Sequence, residues 1–569
     1  MRRGCCSFGD MEVPVNRYHF IRTIGISLAS LLTRNVLFAN GLRGSIMNLP
    51  DEVTAVLDDR PVTLTGGGES WTYKDLLVQL VERGEALGVE VNAPRSRLTS
   101  VTLRWKQHPR TGSRVLNDHW ERTYGDVSWH PSSESEQLPW YFMDSDGHST
   151  TGMGVKTGPA SFCFWQIGRD RLSLTMDMRS GGSAVALGER KLAAAEIIAM
   201  KSDPGESPFQ AGRRFMKLMC DNVRMPAQPV YGINDWYFTY GNNSENLILE
   251  HTRLMAPMAE GLQNRPFSVI DAGWFVTSPS VPNDTSWGDR LDVPNQKFGD
   301  MSRVARRIRE AGLRPGIWTR PLCASHNDRA SLVLPVIKGR NPKTPVLDPT
   351  IPENLERIAK LFAVYNDWKY DLVKFDYTSF DLFGKWGFEM LRDGAMTSSG
   401  WRMHDDSRTN AEIILELYRT IRKAAGDTYV LSCNTFSHLS AGLFELNRIG
   451  DDTSGLEWAR TRKMGVNTLA FRGIQHGVFY AADPDCVGLT TKVPWEKNEQ
   501  WLRLVAASST PLFISAQPGA IGSEQKAVIK KSFAQASGEQ SLGEPLDWME
   551  NPVPRQWKLN GEDVVFNWD

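Results

Sequence analysis

Apolar residues follow two rhythms along this chain, and the rhythm changes near residue 225. From about Ser45 to Cys220, short β-type runs alternate with Gly, Ser, Asp and Pro, as in SRLTSVTLRWK, ASFCFWQIG, RLSLTMDMRSGG and GSAVALGERKLAAAEIIAM. Runs of this length with regular turn signals predict a β-sandwich over residues 45–225. MPAQPVYG (225–232) reads as a Pro-rich linker. From 228 to 536, short apolar strands alternate with amphipathic helices, the pattern of βα units and a parallel sheet. The strands fall at 229–238, 267–275, 313–322, 370–380, 428–436, 444–452, 477–487 and 510–519. Helices between them include GDMSRVARRIREAG, IPENLERIAKLFAVYNDW, RTNAEIILELYRTIRKAAG and SEQKAVIKKSFAQAS, each with apolar residues at helical spacing. Eight such units in about 300 residues predict a (β/α)8 TIM barrel rather than an open doubly wound sheet. No glycine-rich dinucleotide fingerprint or P-loop follows any strand. The tail, 537–569, is β-type and stops inside an apparent strand, which predicts the start of a C-terminal β-sandwich that is cut short.

The first forty residues read as an address label. NRYHFIRTIGISLASLLTRNVLFAN (16–40) carries basic residues, then the apolar run Ile24–Leu32, then Leu37-Phe38-Ala39. That order predicts a signal peptide over 1–40, cleavage after Ala39, and an exported protein, periplasmic or extracellular. No other apolar run is long enough to span a bilayer, so no membrane insertion is expected once the signal is removed.

Charge is balanced, with 65 basic and 66 acidic residues. Nothing in this balance calls for nucleic acid or another polyanion. The seven cysteines show neither zinc-ligand spacing nor the density of a disulfide scaffold, so buried free thiols are expected and no metal or cofactor is called for. The 19 Trp and 13 Tyr suit stacking on sugar rings and suit ordinary cores equally.

The chemistry gathers at the strand ends, where a TIM barrel carries its site. Trp236, Asp271, Trp274, Trp318, Arg320, Lys374, Asp376, Cys433, Asn434, Arg448, Asp451, Asp452, Asp483 and Asp485 all fall there. Asp is common in turns, so each alone says little; their convergence on one mouth says more. In YDLVKFDYTSF, alternation turns Lys374 and Asp376 the same way. The pair reads either as a structural ion pair or as a catalytic carboxylate whose anion a cation favours. Two carboxylates with aromatic platforms suit glycoside hydrolysis, one ionised and one supplying a proton.

In order along 228–536, these segments resemble clan D of the glycoside hydrolases, the α-galactosidases of families 27 and 36. VKFDYTSF resembles the Lys-x-Asp nucleophile strand, which implies Asp376 as nucleophile. NRIGDDTSGLEW resembles the acid/base segment, which implies Asp452 rather than Asp451 as acid/base and puts Arg448 at a sugar 2-hydroxyl. VIDAGWF resembles the Asp-Asp-Gly-Trp stretch, LRPGIWTRP the Gly-Ile-Trp strand, and HGVFYAADPDCV and TPLFISAQPGAIGSEQKAVIKKS the last two strands. The resemblance implies a carbohydrate substrate bound by Asp271, Trp274, Trp318, Lys374, Arg448, Trp236, Asp235 and Cys433, with no cofactor. The N-terminal β region suits family 36, which carries a sandwich before its barrel. Oligomeric state stays open.

The sequence departs from that pattern at Asp271-Ala272, where the clan has paired carboxylates for O4 and O6 of galactose. Losing a charged acceptor costs about 1.5–3 kcal/mol, about one to two decades in affinity. Asp235 in Asn234-Asp235-Trp236 is a candidate to compensate. The expected function is a retaining α-glycosidase acting on α-galactosides. The alternatives are the same chemistry on a β-L-arabinopyranoside or α-N-acetylgalactosaminide, or a non-catalytic carbohydrate-binding homologue.

Overall fold

The computed structural model describes residues 48–569 except 108–109, 111, 278–289, 326 and 341–343. The signal-peptide expectation falls on residues 1–40, outside the described residues. Among the described residues, no helix is long and apolar enough to cross a membrane.

Before the barrel lie two antiparallel sheets, of six and eight strands. Leu98–Lys106 and Arg171–Asp177 pair in the first, with Leu103 opposite Leu174; Leu76–Arg83, Ala86–Ala93 and Gly188–Lys201 run side by side in the second. Inward positions alternate along the strands, as the period of two requires, so Val101, Leu103, Val78 and Leu80 are all buried. Phe142 of the larger sheet packs edge-on against Trp165 of the smaller, ring centroids 5.8 Å apart, so the two meet across an apolar layer. The β rhythm does not extend to Cys220 as expected, because Pro208–Met219 is a helix. Ser207 and Gln210 close a capping box at its start, and Phe209, Phe215, Met216 and Met219 form its buried face. The helical spacing wins here over the β-type composition before it.

The parallel sheet is built from β1 (Tyr231–Asn234), β2 (Phe267–Ile270), β3 (Arg314–Thr319), β4 (Leu372–Phe375), β5 (Tyr429–Ser432), β6 (Leu446–Arg448), β7 (Ala481–Asp483), β8 (Val487–Leu489) and β9 (Leu512–Ala516). The strands pair in sequence order from β1 to β7, and β9 pairs with β1. The expected seventh strand is two short pieces. Its first, β7, pairs with β6, and its second, β8, pairs with β9. These two pieces are the edge strands of the nine-stranded sheet and are joined by only three residues of chain, 484–486. The strands are shorter than the apolar runs that announce them, because each run continues into a loop that carries polar side chains. The tail forms a three-stranded antiparallel sheet, Glu544–Pro545, Gln556–Leu559 and Glu562–Val565. It packs on the barrel through buried Trp557 and Trp568, and Trp458 Nε1 donates to the Trp568 carbonyl at 3.0 Å.

The β-sheet region also reaches into the barrel. The segment 118–126, Asp118-His119-Trp120-Glu121-Arg122-Thr123-Tyr124-Gly125-Asp126, lies against the ends of β4, β5 and β6. Thr123 makes a parallel bridge beside Gly450: its N–H donates to the Ile449 carbonyl at 3.1 Å and its carbonyl accepts from the Asp451 N–H at 2.8 Å. Gly450 leaves room for Thr468, whose Oγ1 a Cβ there would meet at 2.6 Å and which bonds Thr123 Oγ1 at 2.9 Å. Asp118 is fully buried against Arg472, with Nε–Oδ1 at 2.7 Å and Nη2–Oδ2 at 3.0 Å. Arg472 also donates to the carbonyls of Ile449 and Glu121.

Candidate active site

Asp376 follows β4 directly, and its carboxylate is held from two sides. The Tyr377 N–H donates to Oδ1 at 2.8 Å, and Trp318 Nε1 donates to Oδ2 at 3.3 Å. Tyr377 sits at φ 67°, a left-handed conformation that non-glycine residues rarely adopt. Such strain persists where the surroundings over-determine it, and it collects at functional sites.

Asp452 follows β6, four residues after Arg448. Its Oδ1 lies 2.8 Å from Arg448 Nη2 and 3.7 Å from Arg122 Nη1. Asp376 and Asp452 line one cavity with Arg122, Trp236, Asp271, Ala272, Trp318, Lys374, Tyr377 and Trp386, a space of about 440 Å³ including its open mouth. Asp451 is drawn aside by Arg122 and Arg460, at 2.8 Å each, and does not line it.

Several expectations about the surrounding residues change. Lys374 is not the ion-pair partner of Asp376: its Nζ lies 2.8 Å from Asp271 Oδ2. Asn234 Nδ2 donates to the same oxygen at 2.7 Å. Asp235 does not replace the carboxylate missing at Ala272. It is fully buried behind the cavity, where Oδ1 accepts from the Asp271 N–H at 2.7 Å and Oδ2 from Asn243 and Thr239. Its role is to brace Asp271, and burial followed by the nearby Asp271 charge pushes its carboxyl up to about 6. Trp274 is no sugar platform. It is wholly buried behind Trp318, donates to the Trp318 carbonyl at 3.0 Å, and packs among Phe275, Tyr365 and Trp368. Arg448 lies beneath Asp452 rather than on the cavity wall, tied to Asp485 at 2.8 Å with Cys433 Sγ 3.8 Å away. Cys433 and Cys486 are both buried free thiols. Trp236, Trp318, Lys374 and Asp271 do line the cavity. Among the described residues, no cluster of three His, Cys, Asp or Glu side chains is placed to hold a metal ion.

Sequence reasoning missed Arg122, Tyr377 and Trp386. Arg122 comes from the β-sheet region, far from the strand-end motifs in sequence. Its only local signal is the dense polar and aromatic segment DHWERTYGD, set between β-type runs.

The charges do not fall as the Lys374–Asp376 spacing suggested. Burial pushes the Asp376 carboxyl up; Arg122 and Lys374 pull it down and Asp452 pushes it up again, leaving it above the ordinary carboxylate value. Burial also acts to raise Asp452, but Arg448, Arg122 and Lys374 outweigh it and bring it to about 2. The cations favour the anion of Asp452 more than that of Asp376.

No family model matches the chain. Among solved structures, an α-galactosidase from Thermus thermophilus, in complex with p-nitrophenyl α-D-galactopyranoside, is similar over 90% of this chain and 99% of its own, at 18% identity and TM-score 0.59. The GH36 α-galactosidase AgaA from Geobacillus stearothermophilus is similar over 81% of this chain and 67% of its own, at 14% identity and TM-score 0.56. The galactosidase domain of the α-galactosidase–sucrose kinase AgaSK gives 82% and 67%, at 14% identity and TM-score 0.55. The chain shares the fold of these α-galactosidase structures.

Proposed function

We propose that the chain is a retaining α-glycosidase that hydrolyses α-galactosides by double displacement. The observation that carries this reading is the meeting of Asp376 and Asp452 on one cavity, lined also by Trp318 and Trp236 and by the Lys374–Asp271 pair. Asp376 attacks the anomeric carbon as its bond to the leaving oxygen breaks, and Asp452 gives that oxygen its proton. Asp452, now an anion, takes a proton from water, and the resulting hydroxide displaces the Asp376 carboxylate from the sugar. The fold shared with α-galactosidases supports this assignment. Proton NMR of the first product formed from 4-nitrophenyl α-D-galactopyranoside tests it. The α-anomer is expected; a β-anomer would replace double displacement with single inversion.

The charge arrangement predicts how the reaction depends on pH. The first step needs Asp452 protonated and Asp376 ionised. Asp452 is held to about 2 and Asp376 is raised, so the productive form is the minor arrangement of one proton shared by the pair. That proton is lost within the acid range. The kcat/KM profile is therefore expected to be a bell peaking below neutrality, with an upper limb that falls about tenfold per pH unit. A profile still level at about pH 8 would show that some other group supplies the proton.

Ala272 favours a second reading, the same chemistry on a sugar without a 6-hydroxyl. A methyl group lines the cavity where a second carboxylate was expected, and Asp235 faces away from it. The α-D-galactopyranoside and β-L-arabinopyranoside of 4-nitrophenol differ only by the hydroxymethyl group at C5. With no carboxylate to reward O6, their kcat/KM values are expected to lie within about tenfold of each other. A preference for galactose above about a hundredfold would remove this second reading.

A further inference from the structure

We propose that Arg122, delivered from the N-terminal β-sheet region, positions Asp452 and sets the pH window in which the carboxylate pair works. This rests on the assignment of Asp452 as the acid/base. The Arg122 guanidinium spans two neighbouring carboxylates, with Asp451 Oδ1 at 2.8 Å from Nη2 and Asp452 Oδ1 at 3.7 Å from Nη1. It is 7% exposed and lies over Trp386 at 5.3 Å and Tyr124 at 5.9 Å from the ring centroids. Its Nε has no protein partner, although the side chain lines the cavity. The flanking residues leave the arginine little freedom. Thr123 is bridged to Ile449 and Asp451. Glu121 accepts from Asn434 Nδ2 at 2.9 Å and from Ser379 Oγ, and Ser379 lies in the first turn of the helix Thr378–Phe383 that follows Asp376. The segment 121–123 therefore links the loops after β4, β5 and β6.

The charges around Asp452 can be assigned to their elements. Arg448 from β6 and Asp485 from the loop between β7 and β8 lie beneath it. Lys374 and Asp376, from β4 and its end, face it across the cavity. Asp451 on its own loop is neutralised by Arg122 and Arg460. The phenols of Tyr237, Tyr240 and Tyr377 also feel its charge, and burial raises all three, so they stay protonated in the acid range. Arg122 is the cation in this set that the barrel does not supply. It is also the leading cation on Asp376, so its removal raises both carboxyls in the same direction.

The test uses the full chain labelled with ¹³C at the aspartate carboxyl carbons, with the Asp452 signal assigned by its loss in Asp452→Asn. In the parent chain this signal is expected to remain that of a carboxylate through the accessible acid range. In Arg122→Gln its apparent pKa is expected to rise by about one unit or more, and both limbs of the kcat/KM profile are expected to move to higher pH. Arg122→Lys, which keeps the charge, is expected to restore the limbs most of the way. Arg122→Met, whose stem still covers Trp386, carries the same test should Arg122→Gln not fold. An Asp452 signal that also stays that of a carboxylate through the accessible acid range in both neutral variants, with the limbs of the profile unmoved, overturns the proposal. A titration that moves in a chain that hydrolyses no galacto-configured glycoside supports the hold of Arg122 on Asp452 and removes the glycosidase reading instead.

Discussion

Asp376→Ala is expected to lose about 10⁴–10⁶-fold in kcat on 4-nitrophenyl α-D-galactopyranoside, because it removes the carboxylate that forms the covalent intermediate. Azide is expected to restore part of the lost rate. It is small enough to enter the space left by the carboxylate, and its nitrogen bonds to the anomeric carbon as the nitrophenolate departs. The product is then the β-galactosyl azide, inverted relative to substrate, because only one displacement has occurred. Parent-like hydrolysis by Asp376→Ala without added nucleophile would take the nucleophile role from this residue. Trp318 and the Tyr377 N–H remain in place to orient whatever enters, since both hold the carboxylate from outside the β4 strand.

The second large effect falls on stability. Asp118→Ala is expected to cost about 3–5 kcal/mol, because it leaves the Arg472 guanidinium buried without its carboxylate. Both side chains are at most 1% exposed, so water cannot take the place of the lost partner. The measured quantity is the denaturation midpoint by heat and by urea. The double variant Asp118→Ala/Arg472→Leu is expected to recover part of the loss, since it removes the orphaned charge as well. A single variant that melts within about one degree of the parent would show that the pair does not tie the sheet region to the barrel. Activity is expected to fall with stability, because Glu121, Arg122 and Thr123 sit on the same segment.

The barrel was legible in the chain because its rhythm is local. Each strand run and each amphipathic helix announces itself within about ten residues, and each of the eight expected runs holds a strand of the parallel sheet, the additional strand β8 starting where the seventh run ends. The roles of individual side chains were less legible, for three physical reasons. An indole at a strand end reads alike whether it faces the cavity or the core, so Trp318 and Trp274 could not be told apart; only packing separates them. A carboxylate in Asn234-Asp235-Trp236 at a strand end reads as a binding group, yet Asp235 is turned inward by Asn243 and Thr239. Alternation places Lys374 and Asp376 on one face, but the Lys374 ammonium reaches across to β2 and pairs with Asp271 instead. Arg122 lay beyond all such reasoning, because no period connects a loop near residue 120 with a strand end near 450. The helix Pro208–Met219, by contrast, carried its signal openly in Ser207-Pro208 and the apolar spacing that follows.

The bridge at Thr123 has a consequence for how the molecule is made. Its side chain bonds partners 326 and 345 residues further on, a loop whose closure is slow and comes late. A chain emerging from the ribosome has its sheets in hand long before the residues that complete the mouth exist. The early-made wedge must then stay open or be shielded until β6 and the helix after it arrive. Hydrolytic competence is thus expected to appear among the last events of maturation.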